Sequence, residues 1–119
     1  MKMRILVCGG RDYSDYDRIK EVLKPYGEDV ILIHGDAHGA DRYAGRVGRE
    51  LGWWVWPCPA NWDNQGRSAG ALRNQAMLES SNPDLVVAFP GGVGTDDMVY
   101  RATAAGVMVQ RILPGGDQP

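Results

Sequence analysis

Apolar residues along this chain gather into five short runs, at 3–8, 30–34, 53–57, 85–89 and 107–112. Between them lie longer segments in which apolar residues recur at helical spacing. Four of the runs are mostly aliphatic rather than alternating, as expected of strands covered on both faces. The third instead carries Trp53, Trp54 and Trp56. Tyr16, Ile19, Val22, Leu23 and Tyr26 form the first helical stripe, with Ser14 as N-cap and Gly27 as stop. Ala40, Tyr43, Ala44, Val47 and Leu51 form the second, ended by Gly52. Leu72, Ala76 and Glu79 share a face of the third, with Met77 and Leu78 nearby. Val99, Ala102 and Ala105 give the fourth a small-residue face, closed by Gly106.

Repeated strand–helix alternation predicts an α/β fold, a three-layer Rossmann-like sandwich around a five-stranded parallel sheet of order 3-2-1-4-5. In that order the chain reverses between strands 1 and 4. Ligands bind beyond the carboxyl ends of the strands at such a switch point. The Trp-bearing third strand falls at an edge, where core packing or a dimer contact accounts for it.

A chain of 119 residues, 44% hydrophobic and 24% charged, suits one soluble domain over 1–113. The tail 114–119 has nothing to pack and is expected to be disordered. A formal charge of −2 argues against a broad nucleic-acid-binding face, though a local basic cleft stays open. Cys8 and Cys58 form neither a metal-ligand spacing nor a disulfide framework, so both read as free thiols in a reducing cytosol. The apolar start is too short for a signal peptide, and no run reaches membrane-spanning length. A cytoplasmic protein without membrane contact is expected.

The chemistry concentrates in the turns. After Pro90 come Gly91, Gly92, Gly94 and Thr95, then Asp96 and Asp97, at a strand-to-helix junction. Glycines let the backbone approach a ligand closely, and a helix start offers N–H groups and a favourable dipole to an anion. The Gly-Lys-Ser/Thr ending of a Walker loop is missing. Asp96 and Asp97 would repel a phosphate, so at least one must point away, as a ribose contact, a general base or a plain dipole partner.

The first turn, Gly9-Gly10-Arg11-Asp12, is not the spaced dinucleotide fingerprint, and strand 2 ends in His34 rather than an acid. Ordinary NAD binding is not predicted, and no cofactor is. Arg11 either pairs with a phosphate or lies exposed on its turn. The next turn runs from His34 through Gly35, Asp36, Ala37, His38 and Gly39 to Asp41. Asp36 or His38 is a candidate helix cap, and Asp41 a dipole partner or ligand contact. His34 and His38 lack further converging ligands, so no metal is expected. The longest irregular segment, 57–70, holds Trp62, which either stacks on a base or anchors the loop. Arg73 and Asn74, side by side on the third helix, either offer a cation and hydrogen bonds to a phosphate or leave Arg73 a plain solvated charge.

Four stretches, 8–12, 34–41, 70–77 and 90–95, together resemble the SLOG superfamily of Rossmann-like domains, in its small YspA-like, YpsA-related branch. The resemblance covers nearly the whole chain. The superfamily includes phosphoribohydrolases of the lysine-decarboxylase-like type, single-strand DNA processing proteins such as DprA, and sensors of nucleotide-derived signals. In the hydrolases an Arg of the third-helix motif and paired glutamates after the Gly-Gly-x-Gly-Thr loop do the chemistry. Arg73 resembles that Arg. Asp97 falls where the first glutamate stands, and Met98 replaces the second.

The resemblance and the residues together imply a binder of a nucleotide or nucleotide-derived ligand, acting as sensor or sequestering domain. Its contacts are expected from Gly9, Gly10, Arg11, Gly35, Asp41, Arg73, Asn74, Pro90, Gly91, Gly92, Gly94 and Thr95, with Trp62 against the base. The alternative is phosphoribohydrolase cleavage of a nucleoside monophosphate, with Arg73 and Asp97 as catalytic residues. Single-stranded nucleic-acid binding ranks third. A homodimer through the Trp-rich edge or a helix face fits the pattern.

Overall fold

The computed structural model of the protein describes residues 2–114, apart from the side chains of Asn64 and Arg67. The tail expectation at 115–119 lies outside the described residues. Strands β1 (Met3–Cys8), β2 (Val30–His34), β3 (Trp54–Pro57), β4 (Leu85–Ala88) and β5 (Met108–Arg111) form one sheet of order β3-β2-β1-β4-β5. Every pairing is parallel, with Met3 opposite Val30, Ile5 opposite Leu85, Ile31 opposite Trp54 and Leu85 opposite Met108. The expected topology is the observed one.

Alternation along β1 divides the core. Ile5 and Val7 point to one face, packed with Ile19 and Leu23 of helix α1 (Tyr16–Leu23) and Ala44 and Val47 of α2 (Ala40–Glu50). Leu6 and Cys8 point to the other, against Met77 and Leu78 of α4 (Ala69–Ser81) and Met98 and Ala102 of α5 (Val93–Ala104). Shortening a fully buried side chain such as Leu32 to alanine costs about 2–5 kcal/mol in such a core. Helix α2 lies close on the sheet because Gly45 and Gly48 face it. A Cβ at 45 would stand 2.7 Å from His34 Nε2, and one at 48 would stand 2.9 Å from Val55 Cγ2.

Several local expectations change. The cap of α1 is Asp15, whose carboxylate accepts from Arg18 N at 3.1 Å, not Ser14 one residue earlier. Both residue types cap well, so pattern alone does not choose. The 57–70 loop contains a one-turn helix, α3 (Trp62–Gln65), and a 3-10 turn at Gly66–Ser68. In α4 the Leu72, Ala76, Glu79 face is the less buried one. The inward face carries Ala69, Asn74, Met77, Leu78 and Ser81. Polar Asn74 and Ser81 on that face disguised its periodicity. In α5 Met98 and Ala102 are buried, Val99 is half-buried and Ala105 is an exposed C-cap. Trp53 is buried ahead of β3 and donates its indole N–H to Gly27 O at 2.8 Å, whereas Trp54 and Trp56 stay exposed. No described helix is long and apolar enough to cross a membrane.

Candidate functional site

The turns after β1 and β4 meet at the switch point, where Gly10 N donates to Pro90 O at 2.8 Å. Here a cleft of about 840 Å³ opens, walled by the turn at 8–13, the segment 90–97, Asp41 of α2, the inner side of α4 and Trp62. Two helices begin at its margin, and their starts differ.

The start of α2 is filled by protein. Ala40 N donates to Gly10 O at 3.1 Å. Gly39, at φ +80°, lies so close that a Cβ there would overlap the carbonyls of Gly10 and Arg11. A Cβ on Gly9 would overlap Ala40 and stand 3.0 Å from Phe89 Cβ. These glycines are explained by packing of the chain on itself. Neither Asp36 nor His38 caps α2, whose cap residue is Gly39 without a side-chain bond.

The start of α5 is open. Gly92 is its cap residue, again without a side-chain bond, and a Cβ on Gly92 or Gly94 would meet nothing within 4 Å. Gly91 differs: its Cβ would collide with the Thr95 hydroxyl and stand 2.7 Å from Gly10 N. Thr95 itself is buried. Asp96 turns away to Arg111, at 2.8 Å from its Nη2. The carboxylate that the first helical turn would set against an anion is thereby drawn aside.

Arg73 and Asn74 join the two margins. Arg73 Nη1 donates to Gly35 O at 2.5 Å and to Cys58 O at 3.5 Å, and its Nε donates to Asn74 Oδ1 at 3.0 Å. Asn74 Nδ2 donates to Gly94 O at 3.2 Å and to Asp97 Oδ2 at 2.9 Å. Two adjacent residues of α4 therefore tie the turn after β2 to the first turn of α5. A side chain at Gly35 would overlap the Arg73 guanidinium. Asp97 Oδ2 also accepts from Arg101 Nε at 2.8 Å, and Arg101 reaches Gln75. Met98, beside it, is fully buried in the core.

Asp41, on the wall of the cleft, is only 5% exposed, and its Oδ2 accepts from Gly35 N at 3.0 Å and Ala37 N at 3.4 Å. Burial pushes this carboxyl up to about 6, against the pull of Arg73 and the two N–H groups. His34, buried beneath the same turn, accepts from Asp36 N at 2.9 Å, and burial pushes it down to about 4. Burial, helped by Asp41, raises the Cys8 thiol to about 12, which keeps it protonated and poorly nucleophilic. His38 lies on the surface beside Arg42 at 3.2 Å.

Of the sequence candidates, Gly9, Gly10, Arg11, Asp41, Trp62, Arg73, Asn74, Pro90, Gly91, Gly92, Gly94, Thr95 and Asp97 all line the cleft. Gly35 lies behind it, between Asp41 and Arg73. Arg11 is exposed at the rim and has no ion-pair partner among the described residues. Trp62 also lines the cleft and is 55% exposed. Two contributors escaped the sequence reading. Tyr13 lines the cleft and stacks on Phe89 at 5.5 Å between ring centres. Arg101 braces Asp97 from one helical turn on, a spacing that an i, i+4 acid–base search finds.

The model of the YspA, cpYpsA-related SLOG family matches residues 3–64. The gene 61 protein of Mycobacterium phage D29 is 35% identical over 129 aligned positions, spanning 98% of each chain. Among solved structures, the molybdenum cofactor binding protein of the phototrophic bacterium Rippkaea orientalis superposes with a TM-score of 0.69 at 20% identity, over 93% of this chain and 76% of that one. DNA processing protein A (DprA) of Streptococcus pneumoniae does so at 0.59 and 13% identity, over 92% and 58%. At these identities the structural likeness shows the fold. The sequence matches go further: the chain belongs to the YspA, cpYpsA-related SLOG family.

Proposed function

We propose that the cleft binds a nucleotide or nucleotide-derived ligand, its phosphate against the first turn of α5, and that the protein serves as a sensor or sequestering domain. One observation carries this reading. Gly92 and Gly94 have open space where a side chain would stand, at an uncapped helix start facing the cleft, so no internal contact demands glycine there. Space kept clear beside free N–H groups suits an anion. Arg11 at the rim supplies the cation, Trp62 a face for the base, and Asp97 a carboxylate for the sugar. Arg73 and Asn74 serve this reading as braces, since the chain itself takes their hydrogen bonds. The volume falls in the usual range for a small-molecule site.

The phosphoribohydrolase reading has Asp97 on the cleft wall in its favour. Against it stands Met98, sealed in the core where the second carboxylate would be needed.

Calorimetry against nucleoside monophosphates and cyclic nucleotides tests the binding reading, with Gly92→Glu as control. A glutamate at the cap position suits the helix dipole and its Cβ meets no atom within 4 Å, so thermal stability holds or rises slightly. The same carboxylate occupies the anion position, and affinity falls on the order of 100-fold. Failure of the wild type to bind any of the panel, or equal binding by the variant, refutes the reading. Product chromatography on the same monophosphates detects any turnover.

A further inference from the structure

Among the described residues Asp41 is the one buried carboxylate on the wall of the cleft, and its two oxygens are used unequally. Oδ2 is taken by Gly35 N and Ala37 N. Oδ1 accepts no hydrogen bond from any described residue. Oδ1 is not sealed in the interior, and Asp41 lines the cleft, so a donor entering the cleft can reach this oxygen. The neighbouring cation is already engaged, because Arg73 spends Nη1 and Nε on Gly35 O, Cys58 O and Asn74.

We infer that Asp41 Oδ1 is a specificity-determining acceptor, taking a hydrogen-bond donor of the bound ligand beside the first turn of α2. This rests on the nucleotide-binding reading and deepens it. The ligand must present an N–H or O–H there, either from an exocyclic amine of the base or from a ribose hydroxyl. A carbonyl at that point would face a carboxylate and be rejected, as an unpaired acceptor pair is costly in a site built for a donor.

The surroundings add a proton dependence. Asp41 faces Arg73 from α4, Asp36 from its own turn and the protonated Cys8 from β1. Its carboxyl titrates near 6, raised by burial. Above that value it is a charged acceptor. Below it, a proton occupies the carboxyl and the donor-bearing ligand is held less tightly.

Substitution by asparagine separates this role from a structural one. The two backbone N–H groups at Gly35 and Ala37 need an acceptor, so in Asp41→Asn the new amide oxygen stays with them and the NH₂ turns to the cleft. The variant keeps the loop while changing the cleft-side group from acceptor to donor. The test is calorimetry of wild type and Asp41→Asn with adenosine, inosine and 2′-deoxyadenosine monophosphates at pH 7.5. If the donor is the amine, wild type prefers the adenosine over the inosine ligand on the order of 10- to 100-fold, and Asp41→Asn removes or inverts that preference. If the donor is the ribose hydroxyl, the ribose-over-deoxyribose preference collapses instead. Either result supports the assignment. Unchanged preferences in a folded Asp41→Asn overturn it while leaving nucleotide binding intact. No binding of any ligand by wild type overturns both. Should Asp41→Asn not fold, wild type alone decides: neither preference present, or affinity for adenosine monophosphate unaffected between pH 7.5 and 5.5 after allowance for the ligand's own phosphate, counts against Asp41.

Discussion

Two helix starts border the same cleft, both introduced by glycine and both without a side-chain cap, and their surroundings differ. The start of α2 is filled by the chain's own backbone: Gly10 O takes the Ala40 N–H, and Gly39 is wedged under the carbonyls of residues 10 and 11. The start of α5 is bare, and a methyl group on Gly92 or Gly94 would touch nothing. A glycine-rich strand-to-helix turn can therefore exist to bring chain to chain or to leave room for something else. The distinction lies in the surroundings of the missing Cβ.

Substitution at the filled end breaks the comparison hardest. Gly39→Ala forces a positive-φ position and a backbone overlap together, and chemical denaturation should show a loss of about 3 kcal/mol or more. Gly92→Glu at the open end should leave the denaturation midpoint in place while weakening binding on the order of 100-fold. Similar midpoints for the two variants would erase the difference between the helix starts.

The strut between the ends comes next. Asn74→Ala leaves Gly94 O and Arg73 Nε without their partner and Asp97 with Arg101 alone. A loss of about 1–3 kcal/mol is expected in denaturation, with weaker ligand affinity because the first turn of α5 is no longer fixed. Stability and affinity both unmoved would show that α4 does not tie the margins together.

The smallest effect concerns the buried pair beneath the turn after β2. Asp41 titrates higher in the folded protein than its ordinary value of 3.8, so the folded state holds the extra proton and stability falls as pH rises from about 4 to 6. His34 titrates lower than its ordinary 6.5, so the unfolded state holds the extra proton and stability rises with pH from about 4 to 6.5. The two slopes oppose each other. His34→Asn, which retains an acceptor for Asp36 N, should make stability fall with rising pH in this window. Asp41→Asn should make it rise. Urea midpoints across the window would check both, and identical profiles in the two variants would contradict the assignment.

The sheet was legible because strand information is local and redundant. Buried runs such as 85–89 are aliphatic throughout but for Phe89, and alternation with helices leaves few topologies. Helix faces were less legible where polar residues point inward for a reason beyond the core. Asn74 on the buried side of α4 and Leu72 on its exposed side reverse the usual pattern, since Asn74 bonds Arg73, Gly94 O and Asp97 there. The candidate residues were legible as a set from their Gly-rich and Arg-Asn motifs, and nearly all of them line one cleft. Their division of labour was not legible. The pairing of Arg73 with Gly35 O spans 38 positions, and no local pattern encodes it.

The central claim, that the open start of α5 and not the filled start of α2 holds the anion, is tested most directly by amide chemical shifts. Nitrogen-labelled protein titrated with adenosine monophosphate should show its largest amide shifts at Val93, Gly94 and Thr95, with Ala40 little moved. Shifts centred on Ala40, with residues 93–95 silent, would contradict it.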